Sequence, residues 1–266
     1  MKFLKMHGCG NDFVIADYKE NIDYSNLAIK ICDRYVGVGA DGLILVKTNP
    51  LEMIYYNSDG SRAPMCGNGI RCFALYCYYN KIVNDLSFDV LTLAGTMKIE
   101  IKGLNPFNVM VNMGKAIYDN SLIKAYDDLS FKGRIIKVND LEVKIYSLFT
   151  GTIHTVVFVD DFNDKVLDFA KDISDFYLFR EKTNVNFVKI VDKDTICVKT
   201  FERGCGWTFA CGTGCCASVY VANELGKINN EANVILKYGT LNIKIEDNIY
   251  MTGPAKIVYE GEYKLC

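Results

Sequence analysis

Apolar residues in this chain follow two rhythms, and their alternation outlines the elements. Short runs closed by Gly, Asn, Asp or Ser, such as FVIAD, LILVK and MIYYN, predict strands, the last of them ending at the turn SDGS. Between the first two, apolar spacing of three and four predicts a helix over 25–35, with Ser25 as its N-cap and Leu27, Ile31 and Tyr35 on one face. In MCGNGIRCFALYCYYN the glycines stop and an apolar helix of about three turns begins. VLTLAG, TMKIEI and NVMVNM follow as short strands.

The second half repeats this grammar. EVKIYSLFTG and HTVVFVDD read as strands, a helix is predicted over 164–173, and NVNFVKIV with DTICVKTFER reads as a hairpin around VDKD. ACGTGCCASVYVANELG then restates the passage from glycines into helix, and two further hairpins close the chain. The cysteines of M-C-G-N-G and A-C-G-T-G, Cys66 and Cys211, stand a little over half the chain apart. That spacing fits a duplicated unit and not a solenoid, whose repeats run to roughly 20–50 residues. The expectation is an α+β chain of two pseudo-symmetric lobes, 1–115 carrying Cys66 and 116–266 carrying Cys211, with the last strand open to return to the first lobe.

Composition narrows the classes. The chain has 266 residues, 50% of them hydrophobic, which is ample for a buried core and excludes disorder. Its 30 basic and 32 acidic side chains leave no basic excess to drive nucleic-acid binding. No apolar run approaches the ~20 residues of a membrane span, and MKFLKMHGCGNDFVIAD breaks into polar residues and glycines before a signal peptide can form. A cytoplasmic protein is expected. Eleven cysteines without an export signal are expected as reduced thiols, with Cys32, Cys77 and Cys197 filling the core.

Three motifs compete for the chemistry. GVGADG, 37–42, matches the dinucleotide fingerprint in letters, but it follows a predicted helix and opens a strand, the reverse of the order a phosphate loop needs. It reads as a helix-ending turn. Cys66 with Cys72 and Cys205 with Cys211 are spaced too widely for the knuckles of structural zinc, and Cys215 and Cys216 point in different directions from their helix. Cys66 and Cys211 themselves each precede Gly-X-Gly at a predicted helix start, where unpaired N–H groups and the helix dipole favour an anion and lower a thiol pKa. The glycines let a substrate carboxylate approach the same amides. His7 and His154 are the only histidines, and neither lies near a cysteine motif in sequence. Two equivalent thiols suit a different chemistry: one removes a proton from carbon and the other delivers one to the opposite face, inverting a stereocentre without a cofactor.

KMHGCGNDFVIAD, GVGADGLILV, YYNSDGSRAPMCGNGIRCFA, TNVNFV and ERGCGWTFACGTGCCAS, in this order over nearly the whole chain, resemble the diaminopimelate epimerase family of cofactor-independent two-cysteine enzymes. The resemblance implies two lobes, each a mixed sheet or barrel wrapped around a central helix, a small amino-acid substrate held in the cleft, and a homodimer. It implies Cys211 as proton acceptor and Cys66 as proton donor in one direction, with roles exchanged in the other. Asn11, Gly67, Asn68, Gly212 and Thr213 match positions that hold the groups at the reacting carbon. Asn57, Asn184, Glu202 and Arg203 match those that read the far end of the substrate, Arg203 suiting a second carboxylate and Glu202 an ammonium group. Where the family shows G-N-P-H this chain has Gly151-Thr152-Ile153-His154, so Thr152 takes the place of a far-end asparagine. Racemisation of another amino acid, such as histidine or a lanthionine-like diacid, and a cysteine-rich metal or redox module stand as the alternatives.

Overall fold

The computed structural model describes residues 1–264. The chain forms two compact units, Met1–Asn112 joined by the stretch from Thr252, and Met113–Met251. The first unit runs to Asn112, three residues before the 115/116 boundary drawn from the sequence, and takes back the last strand, a course the sequence left open. The reason is a strand pairing: Lys256–Glu262 runs antiparallel to Lys2–Gly8, with Leu4 opposite Glu260 and Met6 opposite Ile257.

In the first unit, Lys2–Gly8 is antiparallel to Asn11–Asp17, which lies parallel to Gly42–Thr48, itself antiparallel to Leu51–Asn57. A parallel pair needs a crossover, and helix α1, Tyr24–Cys32, supplies it. Its buried face, Leu27, Ala28 and Ile31, packs with Val14, Leu43, Leu45 and Ile54. Asp23, not Ser25, is the N-cap, accepting from the Asn26 N–H at 3.1 Å, while Ser25 Oγ donates to the Gly60 carbonyl. The helix ends at Cys32 and not at Tyr35, because Asp33 Oδ1 accepts from the N–H groups of Tyr35 and Val36 and folds the chain into a turn, leaving Tyr35 exposed.

Helix α2, Gly67–Tyr79, is buried on every side as far as Cys77, as its unbroken apolar run requires. It packs on Lys2–Gly8, Asn11–Asp17 and Phe107–Asn112. The buried Arg71 is satisfied within this packing: Nη1 donates to the Gly67 carbonyl at 2.8 Å, Nη2 to Asn68 Oδ1 at 3.0 Å and Nε to the Pro254 carbonyl at 3.3 Å. Ser87–Thr92, Gly95–Leu104 and Phe107–Asn112 complete the sheet as an antiparallel meander.

The second unit uses the same order. Leu141–Phe149 is antiparallel to Ile153–Phe158, which lies parallel to Asn184–Asp192, itself antiparallel to Thr195–Glu202. Its crossover is not the single helix predicted over 164–173. Asp164 caps a 3₁₀ turn, Lys165–Phe169, tightened by the Leu167 N–H to Asp164 carbonyl bond, and helix α3, Ala170–Ser174, follows. Helix α4, Gly212–Glu224, is buried as far as Ala222 except at the half-buried Thr213 and Tyr220, and packs on Ile153–Phe158, Asn184–Asp192 and Gly239–Ile245. After each central helix the chain returns parallel to the fourth strand, Leu91 opposite Glu52 in the first unit and Val234 opposite Ile196 in the second, and then turns back as a hairpin. Cys66 and Cys211 therefore occupy the same place in one repeated design.

Cys32 and Cys77 are buried as expected, but Cys197 is only half-buried. It alternates with buried Ile196 and Val198 along its strand and so faces the other side of the sheet. Among the described residues no helix is long and apolar enough to cross a membrane.

Candidate active site

Cys66 is the N-cap of α2. Its backbone is extended, and Sγ accepts from the Gly69 N–H at 3.4 Å. A side chain at 69 would put Cβ 2.9 Å from Ile44 Cδ1 and 3.3 Å from Cys66 Cβ, so glycine there lets the first helical turn sit tightly beneath the thiol. Asn11 Oδ1 lies 3.6 Å from Cys66 Sγ and accepts from Asn68 Nδ2 at 3.1 Å. Asn68 is held in turn by Arg71. Gly67, the first residue of α2, is buried beside them. Asn57 ends its strand opposite Gly42, with its amide engaged by Ser61 Oγ at 2.9 Å. Asn11, Gly67 and Asn68 thus gather at Cys66, and Asn57 sits one strand away.

Cys211 is the N-cap of α4 and is buried. Thr213 Oγ1 lies 3.5 Å from its sulfur, and His154 Nε2 lies 2.9 Å from the same hydroxyl. The far side of the ring fixes the proton. Asn186 Nδ2 donates to the Thr155 carbonyl and to His154 Nδ1, at 3.3 and 3.1 Å, while Asn186 Oδ1 accepts from Thr200 at 3.0 Å. Nδ1 is therefore an acceptor, the neutral ring carries its proton on Nε2, and Thr213 receives that proton and points its own at Cys211. His154 thus reaches the cysteine motif in space although it lies far from it in sequence.

Burial, and then the charge of Arg203, lower the His154 pKa to about 3 from an ordinary 6.5. The unfolded chain therefore takes up a proton near pH 6.5 that the folded chain refuses until about pH 3, and stability falls across that window as pH drops, by about 1.4 kcal/mol for each pH unit. Urea unfolding measured between pH 7 and pH 4.5 should decline less steeply for His154→Gln than for the native chain. Equal slopes would contradict the assignment.

The Cys211 thiol itself departs from expectation. A helix start was expected to lower its pKa, yet burial first, and then the carboxylate of Glu202, hold it well above the ordinary thiol value. The Thr213 hydroxyl and the Gly214 N–H pull the other way without prevailing, and Gly214 does not close a cap bond of the kind Gly69 makes to Cys66. Desolvation outweighs the dipole here, so Cys211 rests as the thiol. Gly212 is buried at the helix start.

The remaining expected residues assemble beside it. The Arg203 N–H donates to Asn184 Oδ1 at 3.0 Å, its Nη2 to Thr152 Oγ1 at 3.1 Å and its Nη1 to the Glu181 carbonyl at 2.8 Å. Glu202 Oε1 accepts from Thr208 at 2.6 Å. Sequence reasoning missed Asn186, Arg71 and Asp41, the last of which accepts from Asn11 Nδ2 at 2.5 Å. Asn186 had a readable signal, since it stands two residues from Asn184 on a strand and so shares its face. Among the described residues no group of three or more His, Cys, Asp or Glu side chains is placed to hold a metal ion.

A family model described as Diaminopimelate epimerase matches residues 3–118 and 146–258. A diaminopimelate epimerase of Clostridium perfringens is 42% identical over 273 residues, covering 99% of each chain. The chain belongs to the diaminopimelate epimerase family. A second relative of that name, from Caldanaerobacter subterraneus subsp. tengcongensis, is 40% identical over 274 residues and 100% of both chains. Diaminopimelate epimerases are isomerases, and this family's fold is shared more widely. A phenazine biosynthesis protein of the PhzF family from Bacillus anthracis superposes with TM-score 0.72 at 16% identity, over 100% of this chain and 99% of that one. A probable proline racemase from Agrobacterium radiobacter gives 0.70 at 13% identity, over 100% of this chain and 93% of that one. At such identities the likeness concerns the fold alone.

Proposed function

We propose that this chain interconverts LL- and meso-diaminopimelate, inverting one α-carbon with two thiols and no cofactor. The observation that carries this reading is the duplicated one: in each unit a cysteine caps a buried central helix, with a hydrogen-bonding side chain beside its sulfur. Membership of the family and full-length relatives named for this activity support the substrate.

In one direction Cys211, as thiolate, takes the α-proton. The C–H bond breaks, an S–H bond forms, and the electron pair stays on carbon. Cys66 then gives its thiol proton to the opposite face, which leaves a thiol at 211 and a thiolate at 66, the starting state for the reverse reaction. The N–H groups of Gly67, Asn68, Gly212 and Thr213 at the helix starts suit the α-carboxylate and the negative charge that develops beside it, with Asn11 at the same carbon. Asn57, Thr152, Asn184, Glu202 and Arg203 read the distal end, Arg203 taking the carboxylate and Glu202 the ammonium. Glu202 also helps to hold Cys211 protonated, so an ammonium that neutralises it favours the thiolate as substrate arrives. Two thiols that must both stay reduced fit a cytoplasmic setting, and a homodimer belongs to the same reading.

Incubation with LL-diaminopimelate in D₂O tests this, with α-deuteration and the appearance of the meso form as readouts. Histidine and a lanthionine-like diacid run beside it, because Thr152 replaces the family asparagine at the distal end. Deuteration of diaminopimelate with inversion is the expected result; deuteration confined to one of the other amino acids overturns the substrate assignment.

A further inference from the structure

We propose that Asp41 is a positioning residue for Cys66: it locks the side-chain amide of Asn11 so that the carbonyl oxygen, and not the NH₂ group, rests on the cysteine sulfur. The function proposed above gives this its significance, but the geometry stands without a substrate. An asparagine amide is nearly symmetric in shape, and only its partners decide which end points where. Asn11 Nδ2 lies 2.5 Å from Asp41 Oδ2, and an ionised carboxylate can only accept. On the other side Asn11 Oδ1 accepts from Asn68 Nδ2, whose own orientation is set by Arg71, a group that can only donate. Two amides are thus strung between a buried guanidinium and a carboxylate, and neither can turn over without facing donor with donor or acceptor with acceptor.

Asp41 is itself held. Its Oδ1 accepts from Arg34 Nη2 at 2.7 Å and its Oδ2 from the Asp12 N–H at 3.0 Å. Arg34 also grips both oxygens of Asp12, at 2.8 and 3.2 Å, and Lys5 lies 2.6 Å from the same carboxylate. The GVGADG turn that reads in sequence as a mere helix terminator therefore places a carboxylate at the root of the site. The effect at Cys66 has a sign: a thiol can donate to Asn11 Oδ1, whereas a thiolate meets a lone pair. Cys211 has the opposite neighbour, a Thr213 hydroxyl with a proton to give. The two thiols are unequal, and Asp41 helps Cys66 to keep the proton it has to deliver.

Alkylation of Cys66 by iodoacetamide, followed as a function of pH by mass spectrometry of its peptide, reads this without substrate and so fails separately from the epimerase assignment. In Asp41→Asn an NH₂ group stands where Arg34 on one side, or the Asp12 N–H and Asn11 Nδ2 on the other, need an acceptor, so the lock on Asn11 is broken at one end and its carbonyl is held on Cys66 less firmly. The alkylation midpoint should fall by about one pH unit, making the reaction near pH 7 roughly ten-fold faster. The turnover number should fall in both directions. Asp41→Glu, which keeps an acceptor-only group, should lie close to the native midpoint. An unchanged midpoint in folded Asp41→Asn, or an equal shift in Asp41→Glu, overturns the proposal.

A measurement on the native chain serves if the variants fail to fold. The titratable and charged groups around Asp41 are Asp12, Arg34 and Cys32, with Lys5 bound to Asp12. Burial and the Asp12 charge push the Asp41 pKa up, while hydrogen bonds from Arg34 and Lys5 hold Asp12 down, so the two carboxylates titrate in separate steps. The Asn11 side-chain amide resonance should move with the upper step. An amide that stays put through it overturns the proposal equally.

Discussion

Replacing either Cys66 or Cys211 by alanine should lower epimerisation by roughly 10²–10⁴-fold, the range over which a positioned acid or base acts. Inversion needs both faces of the carbon served, so each single variant should lose the reaction in both directions. The structural costs differ, and this separates loss of chemistry from loss of fold. Cys66 accepts a cap bond from the Gly69 N–H, so Cys66→Ala should cost about 0.5–2 kcal/mol of stability by thermal unfolding, whereas Cys66→Ser, which keeps a capping atom, should cost less. Cys211 makes no such cap bond although the Gly214 N–H lies toward its sulfur, so Cys211→Ala should cost stability chiefly through the loss of a buried sulfur and not through the helix start. Near-normal inversion by either folded variant would end the two-base reading.

The second large effect belongs to Arg203. Its guanidinium is steadied by Thr152 Oγ1 on one nitrogen and the Glu181 carbonyl on the other, which presents a planar fork in a set orientation. Arg203→Lys keeps the charge but loses the paired geometry, and neither steadying contact survives in the same form. Loss of a charge-assisted pair costs about 1.5–3 kcal/mol, so kcat/KM on diaminopimelate should fall roughly 10- to 150-fold, mainly through KM. A substrate without a distal carboxylate should be affected far less. If diaminopimelate turnover is indifferent to Arg203→Lys, the distal carboxylate binds elsewhere.

Much of this was legible in the letters because the pattern is locally determined. The apolar run of α2 and the glycines before it define a buried helix and its start without reference to anything distant. The ends of α1 were misjudged because they depend on single hydrogen bonds: Asp23 rather than Ser25 at the start, and Asp33 folding Tyr35 away at the finish. The homing of Lys256–Glu262 on Lys2–Gly8 spans almost the whole chain, so the sequence left the last strand open to return to the first lobe without naming the strand it would pair with. The site divides in the same way. Cys66 and Cys211 announce themselves beside their glycines, whereas Asp41 and His154 each act through one intermediate side chain and Asn186 through two, across strands that only the folded sheet brings together. The thiol pKa at 211 was misread for a related reason: the dipole is visible in a motif, but burial and the nearby Glu202 are not.

The interrupted first unit has a consequence for biosynthesis. Met113–Met251 is contiguous and has every strand and helix it needs once it has left the ribosome. The first unit does not: Lys2–Gly8 is made at the outset, yet one of its two partners, Lys256–Glu262, follows the entire second unit. Until then one edge of Lys2–Gly8 shows a row of unanswered backbone groups alongside Phe3 and Met6, which are buried in the finished protein. Nascent chains that stall or are cut short of residue 256 therefore carry a sticky strand edge, and it is there, rather than at either cysteine, that chaperone dependence and aggregation of truncated product should concentrate.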